Sequence, residues 1–101
     1  MKAVKVQYTV QTKFIEQNKK NIQAVMEAIK ANPIEGMYYS TFQLEDKNTF
    51  IHINFTKDEA SMQKLGDIAE FNYFRKSLKE SSLINPPQQA NITFIGSSWE
   101  I

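Results

Sequence analysis

Residues 37–55 read MYYSTFQLEDKNTFIHINF, two apolar-rich runs either side of the polar cluster Glu45-Asp46-Lys47-Asn48. Such a cluster between strand-like runs is a hairpin signature. A two- or four-residue loop centred there pairs Phe42 with Ile51, Ser40 with Ile53 and Tyr38 with Phe55. The same register pairs Gln43 with Phe50, Thr41 with His52 and Tyr39 with Asn54. One face is then mainly apolar and the other mixed, and a slip by one residue would scramble both. The apolar set of Ile51, Ile53 and Phe55 is expected beneath the helices. Phe50, His52 and Asn54 are expected on the open side of the sheet.

Before the hairpin, Val4, Val6, Tyr8 and Val10 alternate with Lys5, Gln7 and Thr9, the period-2 pattern of a strand. From Thr12 the period changes: Ile15, Ile22, Val25, Met26 and Ile29 fall on one helical stripe. Pro33 disfavours helical backbone at Asn32, which ends this helix near Lys30 or Ala31. Beyond the hairpin, Thr56-Lys57-Asp58-Glu59 has the spacing of a capping box. A short helix follows with Met62 and Leu65 inward. Gly66 and Asp67 break it, and Ile68, Phe71, Phe74 and Leu78 mark a second stripe. Pro86 and Pro87 read as a linker to a last strand over Asn91–Ile95. The order is β-α-β-β-α-β, which predicts an α+β, ferredoxin-like fold with a four-stranded antiparallel sheet.

The 101 residues fit one domain, expected over 1–101. A net charge of +1 gives no strong attraction to phosphate backbones or anionic lipid. The absence of cysteine excludes disulfides and thiol catalysis. The alternating N-terminus is not a signal peptide, and no run approaches the ~20 apolar residues of a membrane span, so a cytoplasmic location is expected.

What covers the open sheet face decides the function. NTFIHINF, residues 48–55, partly matches the aromatic octapeptide of RNA-recognition motifs. It lacks the basic residue and the glycine, and the first strand offers Lys5, Gln7 and Thr9 rather than a ring. Nucleic acid is therefore not the expected partner. A second copy of the chain is, with Gln7, Thr41, Phe50, His52, Asn54 and Trp99 as dimer-interface candidates.

Several features together resemble the antibiotic-biosynthesis-monooxygenase-like family of dimeric α+β barrels. They are the Gly-Met-Tyr-Tyr start of strand two and Phe-Thr-Lys-Asp-Glu-Ala after strand three. The Phe71-x-x-Phe74-x-x-x-Leu78 stripe belongs with them, as does Pro-Pro before a strand ending in Gly-Ser-Ser-Trp. The resemblance implies a homodimer and, in an enzyme, oxygenation or proton abstraction on an activated ring without a metal or cofactor. Many relatives carry Trp where Phe55 stands and His near Lys64 or Leu65. The Asn, Trp and His set of haem-degrading relatives has no counterpart here, so no catalytic residue is carried over.

His52 is the only histidine, which rules out an all-histidine metal site within one chain. The expected role for it is a hydrogen-bonded interface residue. Relatives place ligands on the helix-facing side of the sheet. There Tyr8, Tyr38, Ser40 and Asn18 are the polar pocket candidates, with Met26, Met62, Phe71 and Phe74 as apolar walls. The expected ligand is a small apolar or aromatic molecule. The competing expectation is a non-catalytic structural or regulatory dimer whose interior is filled.

Overall fold

The computed structural model describes residues 1–100. The strands are β1 (Lys2–Thr9), β2 (Met37–Gln43), β3 (Thr49–Thr56) and β4 (Asn85–Ile92), joined in the antiparallel order β2-β3-β1-β4. The helices are α1 (Ile15–Ala31), α2 (Glu59–Lys64) and α3 (Ala69–Glu80). A 3₁₀ turn over Thr12–Phe14 leads into α1, and another over Leu65–Asp67 separates α2 from α3 at the Gly66-Asp67 break. This is the α+β, ferredoxin-like order expected from the sequence. No helix among the described residues is long and apolar enough to cross a membrane.

The β2–β3 register is the expected one, from Tyr38 opposite Phe55 to Gln43 opposite Phe50. Its turn is held by Asp46, whose carboxylate accepts from Asn48 N (3.0 Å), Thr49 N (2.9 Å) and Thr49 Oγ1 (2.7 Å). These bonds stabilise the ionised form and lower the Asp46 pKa. Lys47 takes the left-handed conformation, with φ 71°.

The faces of this hairpin are the reverse of the expectation. β1 pairs with β3 so that Val4 is opposite Asn54, Val6 opposite His52 and Tyr8 opposite Phe50. Residues directly opposite on paired strands point to the same face. The alternating stripe Val4, Val6, Tyr8 faces the helices, so Phe50, His52 and Asn54 face them too. The core gathers Tyr8, Val10 and Phe50 from this side with Ile22, Val25, Phe74 and Leu78 from the helices. Ile51, Ile53, Phe55, Tyr38, Ser40 and Phe42 share the opposite face with Gln7.

Two local expectations also change. The cap of α2 is Asp58, which accepts from Ser61 N at 2.8 Å, because β3 runs on through Thr56. Glu59 pairs instead with Lys2 at 3.1 Å. The last strand begins six residues earlier than expected and contains Pro86 and Pro87. An edge strand tolerates proline, and the β1–β4 register shifts between Gln7 and Thr9, opposite the two prolines.

Candidate functional site: a cleft between sheet and helices

Two contiguous cavities separate the sheet from α2 and α3. The larger, ≈ 770 Å³, lies between β1, β3, β4 and α3; Val6, Phe71, Phe74, Leu78, Pro86 and Pro87 supply apolar wall. The smaller, ≈ 330 Å³, runs on towards Met62, Leu65 and Asn54. Tyr39 and His52 line both cavities. A volume of this size falls within the range of small-molecule sites, roughly 300–1,000 Å³.

At the floor, four polar side chains form a chain of hydrogen bonds. Asn18 on α1 is fully buried and donates from Nδ2 to Tyr8 Oη at 2.9 Å. Tyr8 Oη lies 2.8 Å from His52 Nε2. On the far side of the ring, His52 Nδ1 lies 2.7 Å from Tyr39 Oη and 3.4 Å from Thr41 Oγ1. The Phe74 ring packs over His52 with centroids 5.2 Å apart.

The strand geometry explains this cluster. Tyr8 and His52 share the helix-facing side of β1 and β3, two residues apart in register, so a tyrosine reaches diagonally to the imidazole. Tyr39 stands in the same diagonal relation from β2. Asn18 sits one turn before Ile22 on the buried stripe of α1.

Burial sets the charge states. His52, 6% exposed, has its pKa lowered to about 4, because desolvation penalises the imidazolium. Desolvation raises Tyr8 and Tyr39 well above the ordinary phenol value. For Tyr8 the Asn18 bond partly opposes this, and for Tyr39 the neighbouring Tyr8 adds to it. Around neutral pH the three groups are uncharged. The charges lie at the rim, where Arg75 and Lys79 line the larger cavity and the Arg75 guanidinium sits 5.5 Å from the Phe71 ring centre. Among the described residues neither cation is in an ion pair.

Both ring nitrogens of His52 are engaged by tyrosine hydroxyls. The ring therefore offers no free lone pair to iron, and the site does not fit a histidine-ligated haem. Among the described residues, no three of His, Cys, Asp and Glu come together as a metal site.

Of the expected pocket residues, Tyr8, Phe71 and Phe74 line the larger cavity and Met62 the smaller. Asn18 reaches the site through the Tyr8 hydroxyl rather than a backbone group. Met26 packs against the core away from the cleft. Tyr38 and Ser40 are on the other face, because their register partners Phe55 and Ile53 are, and they cannot line a helix–sheet cleft. Of the expected dimer contacts, Gln7 is on the open face and Trp99 is exposed. Thr41, Phe50, His52 and Asn54 lie on the helix side, where no partner can press against them through the open face.

Tyr39 and the rim cations were not among the expected site residues. Tyr39 had a readable signal, as the residue two before Thr41 opposite His52. Arg75 and Lys79 carry no local sequence signal that sets them apart from an ordinary solvated helix face.

No family model matches the chain, and no curated protein matches it by sequence. Solved structures do match. A crystal structure of an antibiotic biosynthesis monooxygenase superposes with a TM-score of 0.78 at 13% identity, over 95% of this chain and 100% of the other. The chain has the antibiotic biosynthesis monooxygenase fold. A Bacteroides thetaiotaomicron protein provisionally given the same name reaches 0.82 at 9% identity, over 99% of this chain and 94% of its own. A conserved protein from Methanosarcina mazei Go1 reaches 0.72 at 18% identity, over 91% and 92%. The first two carry the name of the family that the sequence resembles. At such identities the monooxygenase fold is shared while the side chains at its cleft are this chain's own.

Proposed function

We propose that this protein binds a small, mostly apolar aromatic or polycyclic molecule in the cleft between α3 and the sheet, and oxygenates it without a cofactor. One observation carries the reading: a ≈ 770 Å³ cleft with largely apolar walls, a polar cluster of Tyr8, Tyr39 and His52 at its floor, and Gln89, Arg75 and Lys79 beside them. The fold shared with proteins named as monooxygenases supports it. A filled interior, the expectation of a purely structural dimer, is not what this cleft offers.

The chemistry follows from the charge states. Burial keeps His52 neutral and both tyrosines protonated, so the site holds no strong base. The substrate must therefore ionise readily, as a quinol or an anthrone does. Arg75 and Lys79 at the rim favour such a ring anion, and a phenolic hydrogen bond at the floor stabilises its enolate-like charge. The ionised proton goes to solvent, dioxygen adds to a ring carbon of the bound anion, and the resulting hydroperoxide loses water to leave a ring carbonyl.

The working unit in this reading is a homodimer. Phe42, Ile51, Ile53 and Phe55 form a contiguous apolar stretch on the face without helices, and the Phe94 ring packs 5.7 Å from Phe55. Apolar stretches of this kind mark association surfaces. Calorimetry across quinols, anthrones and haem tests the ligand. Binding of a quinol or anthrone with oxygen uptake is expected, and no binding at all sinks the reading. Light scattering tests the dimer, and a monomer mass at tens of micromolar removes it.

A further inference from the structure

The four-residue hydrogen-bond chain has a direction. Asn18 donates its amide hydrogen to Tyr8 Oη, and among the described residues the only other partner of that hydroxyl is His52 Nε2. Tyr8 is 1% exposed. Were Nε2 to carry the imidazole hydrogen, Tyr8 oxygen would accept twice and its own O–H would be buried with no acceptor. A buried donor without an acceptor is costly and rare. With Nε2 as acceptor, the Asn18 Nδ2–H, the Tyr8 hydroxyl and His52 Nε2 each have a matched partner, and only Asn18 Oδ1 is left without one among the described residues. A neutral imidazole carries one hydrogen, which then sits on Nδ1. Nδ1–H donates to Tyr39 Oη at 2.7 Å, the shorter of its two contacts. Tyr39 oxygen is thereby an acceptor from His52, and its own hydrogen has no protein acceptor among the described residues. Tyr39 lines both cavities.

We propose that Asn18, acting through Tyr8, fixes the Nδ1–H tautomer of His52 and so presents the Tyr39 hydroxyl to the cleft as a hydrogen-bond donor, selecting ligands whose buried end is an acceptor oxygen, a ring carbonyl or its enolate. Asn18, Tyr8 and His52 are positioning residues; Tyr39 is the group that touches the ligand. The neutrality of His52 under burial supports a single-hydrogen ring. The ligand half of this inference rests on the cleft being the binding site; the tautomer half does not.

The chain contains one histidine, so a long-range ¹H–¹⁵N spectrum of labelled protein reports a single imidazole. The unmodified protein at pH 7 is expected to show hydrogen on Nδ1 and a bare Nε2. Hydrogen on Nε2 would overturn the direction, and needs no variant to fold. In Asn18→Asp the carboxylate can only accept, so the tautomer is expected to invert; an unchanged Nδ1–H signal in folded Asn18→Asp would remove Asn18 from its role.

The ligand half is read by calorimetry with 1-tetralone and tetralin, the same bicyclic body with and without a carbonyl oxygen. One net hydrogen bond is expected to favour the ketone by about fivefold. Tyr39→Phe is expected to abolish that preference, read as the ratio of the two affinities in the same variant. Equal affinities in the unmodified protein overturn the acceptor-oxygen selection. Failure of both probes to bind sinks the cleft as a ligand site and the selection with it, with the tautomer still decided by the spectrum.

Discussion

The two faces of this sheet invert the usual division of labour between apolar and polar side chains. On the helix side, His52 and Asn54 are buried with Tyr8 and Phe50. On the other side, Phe42 stands 55% exposed beside Ile51, Ile53 and Phe55. Buried polar groups are stabilised by meeting their hydrogen bonds: His52 meets both of its own with tyrosines, while Asn54 has only its Nδ2 contact to Met62 Sδ. An apolar group is left outside at a cost that a second surface can relieve. The proposed ligand site is therefore on the covered face and the proposed association surface on the uncovered one.

The sharpest way to break this contrast is to truncate one ring on each side. Phe50→Ala removes a ring that is 2% exposed, and roughly 3–5 kcal/mol of stability should go with it in urea denaturation. Phe42→Ala at the opposite surface should cost far less in the same experiment. If the two losses were equal, the assignment of faces would be wrong.

Next in size is the response to acid. His52 has a pKa of about 4 when folded, against 6.5 when exposed. Above pH 6.5 neither state binds the proton and stability is flat with respect to this group. As pH falls from 6.5 towards 4, the unfolded chain takes up a proton that the folded chain refuses. Stability then drops by ~1.4 kcal/mol per pH unit, roughly 3 kcal/mol in all. Denaturation at pH 7, 5.5 and 4.5 measures the slope. His52→Gln should remove that contribution, and an unchanged slope would show that other groups cause it.

The smallest effect on folding, and a decisive one on assembly, comes from Phe42→Glu. Stability of the isolated chain should change by no more than about 0.5 kcal/mol, as for an ordinary surface site. Light scattering should report half the mass of the unmodified protein. His52→Gln, on the covered face, should keep the dimer mass; loss of the dimer there would return His52 to the interface.

The hairpin register was legible because Glu45-Asp46-Lys47-Asn48 fixes its centre and one slip scrambles both faces. Which face the helices cover was not legible. β3 carries Ile51, Ile53 and Phe55 on one side and Phe50, His52 and Asn54 on the other. Period-2 reasoning places the more apolar side under the helices, and here the helices cover the mixed one. The deciding information is long-range: β1 has one unambiguous apolar stripe, and its pairing with β3 transmits that orientation to His52. Tyr39 and Tyr38 exchanged roles for the same reason. Helix order, the Gly66-Asp67 break and the Phe71, Phe74, Leu78 stripe were readable from local spacing. β4 was displaced because Pro86-Pro87 reads as a linker unless the strand is known to lie at an edge. The Asn18 contact was hidden altogether, since nothing in a helix's own sequence says which strand hydroxyl it will meet.

Those two prolines bear on how the molecule avoids the wrong kind of self-association. β4 is an edge strand with every residue exposed, which would ordinarily be a template for another strand to add on. Pro86 and Pro87 have no amide hydrogen, so neighbouring positions on that edge cannot sustain a continuous ladder. Strand-by-strand polymerisation is blocked along this border, while the flat apolar surface of the sheet stays open to a closed, two-body contact.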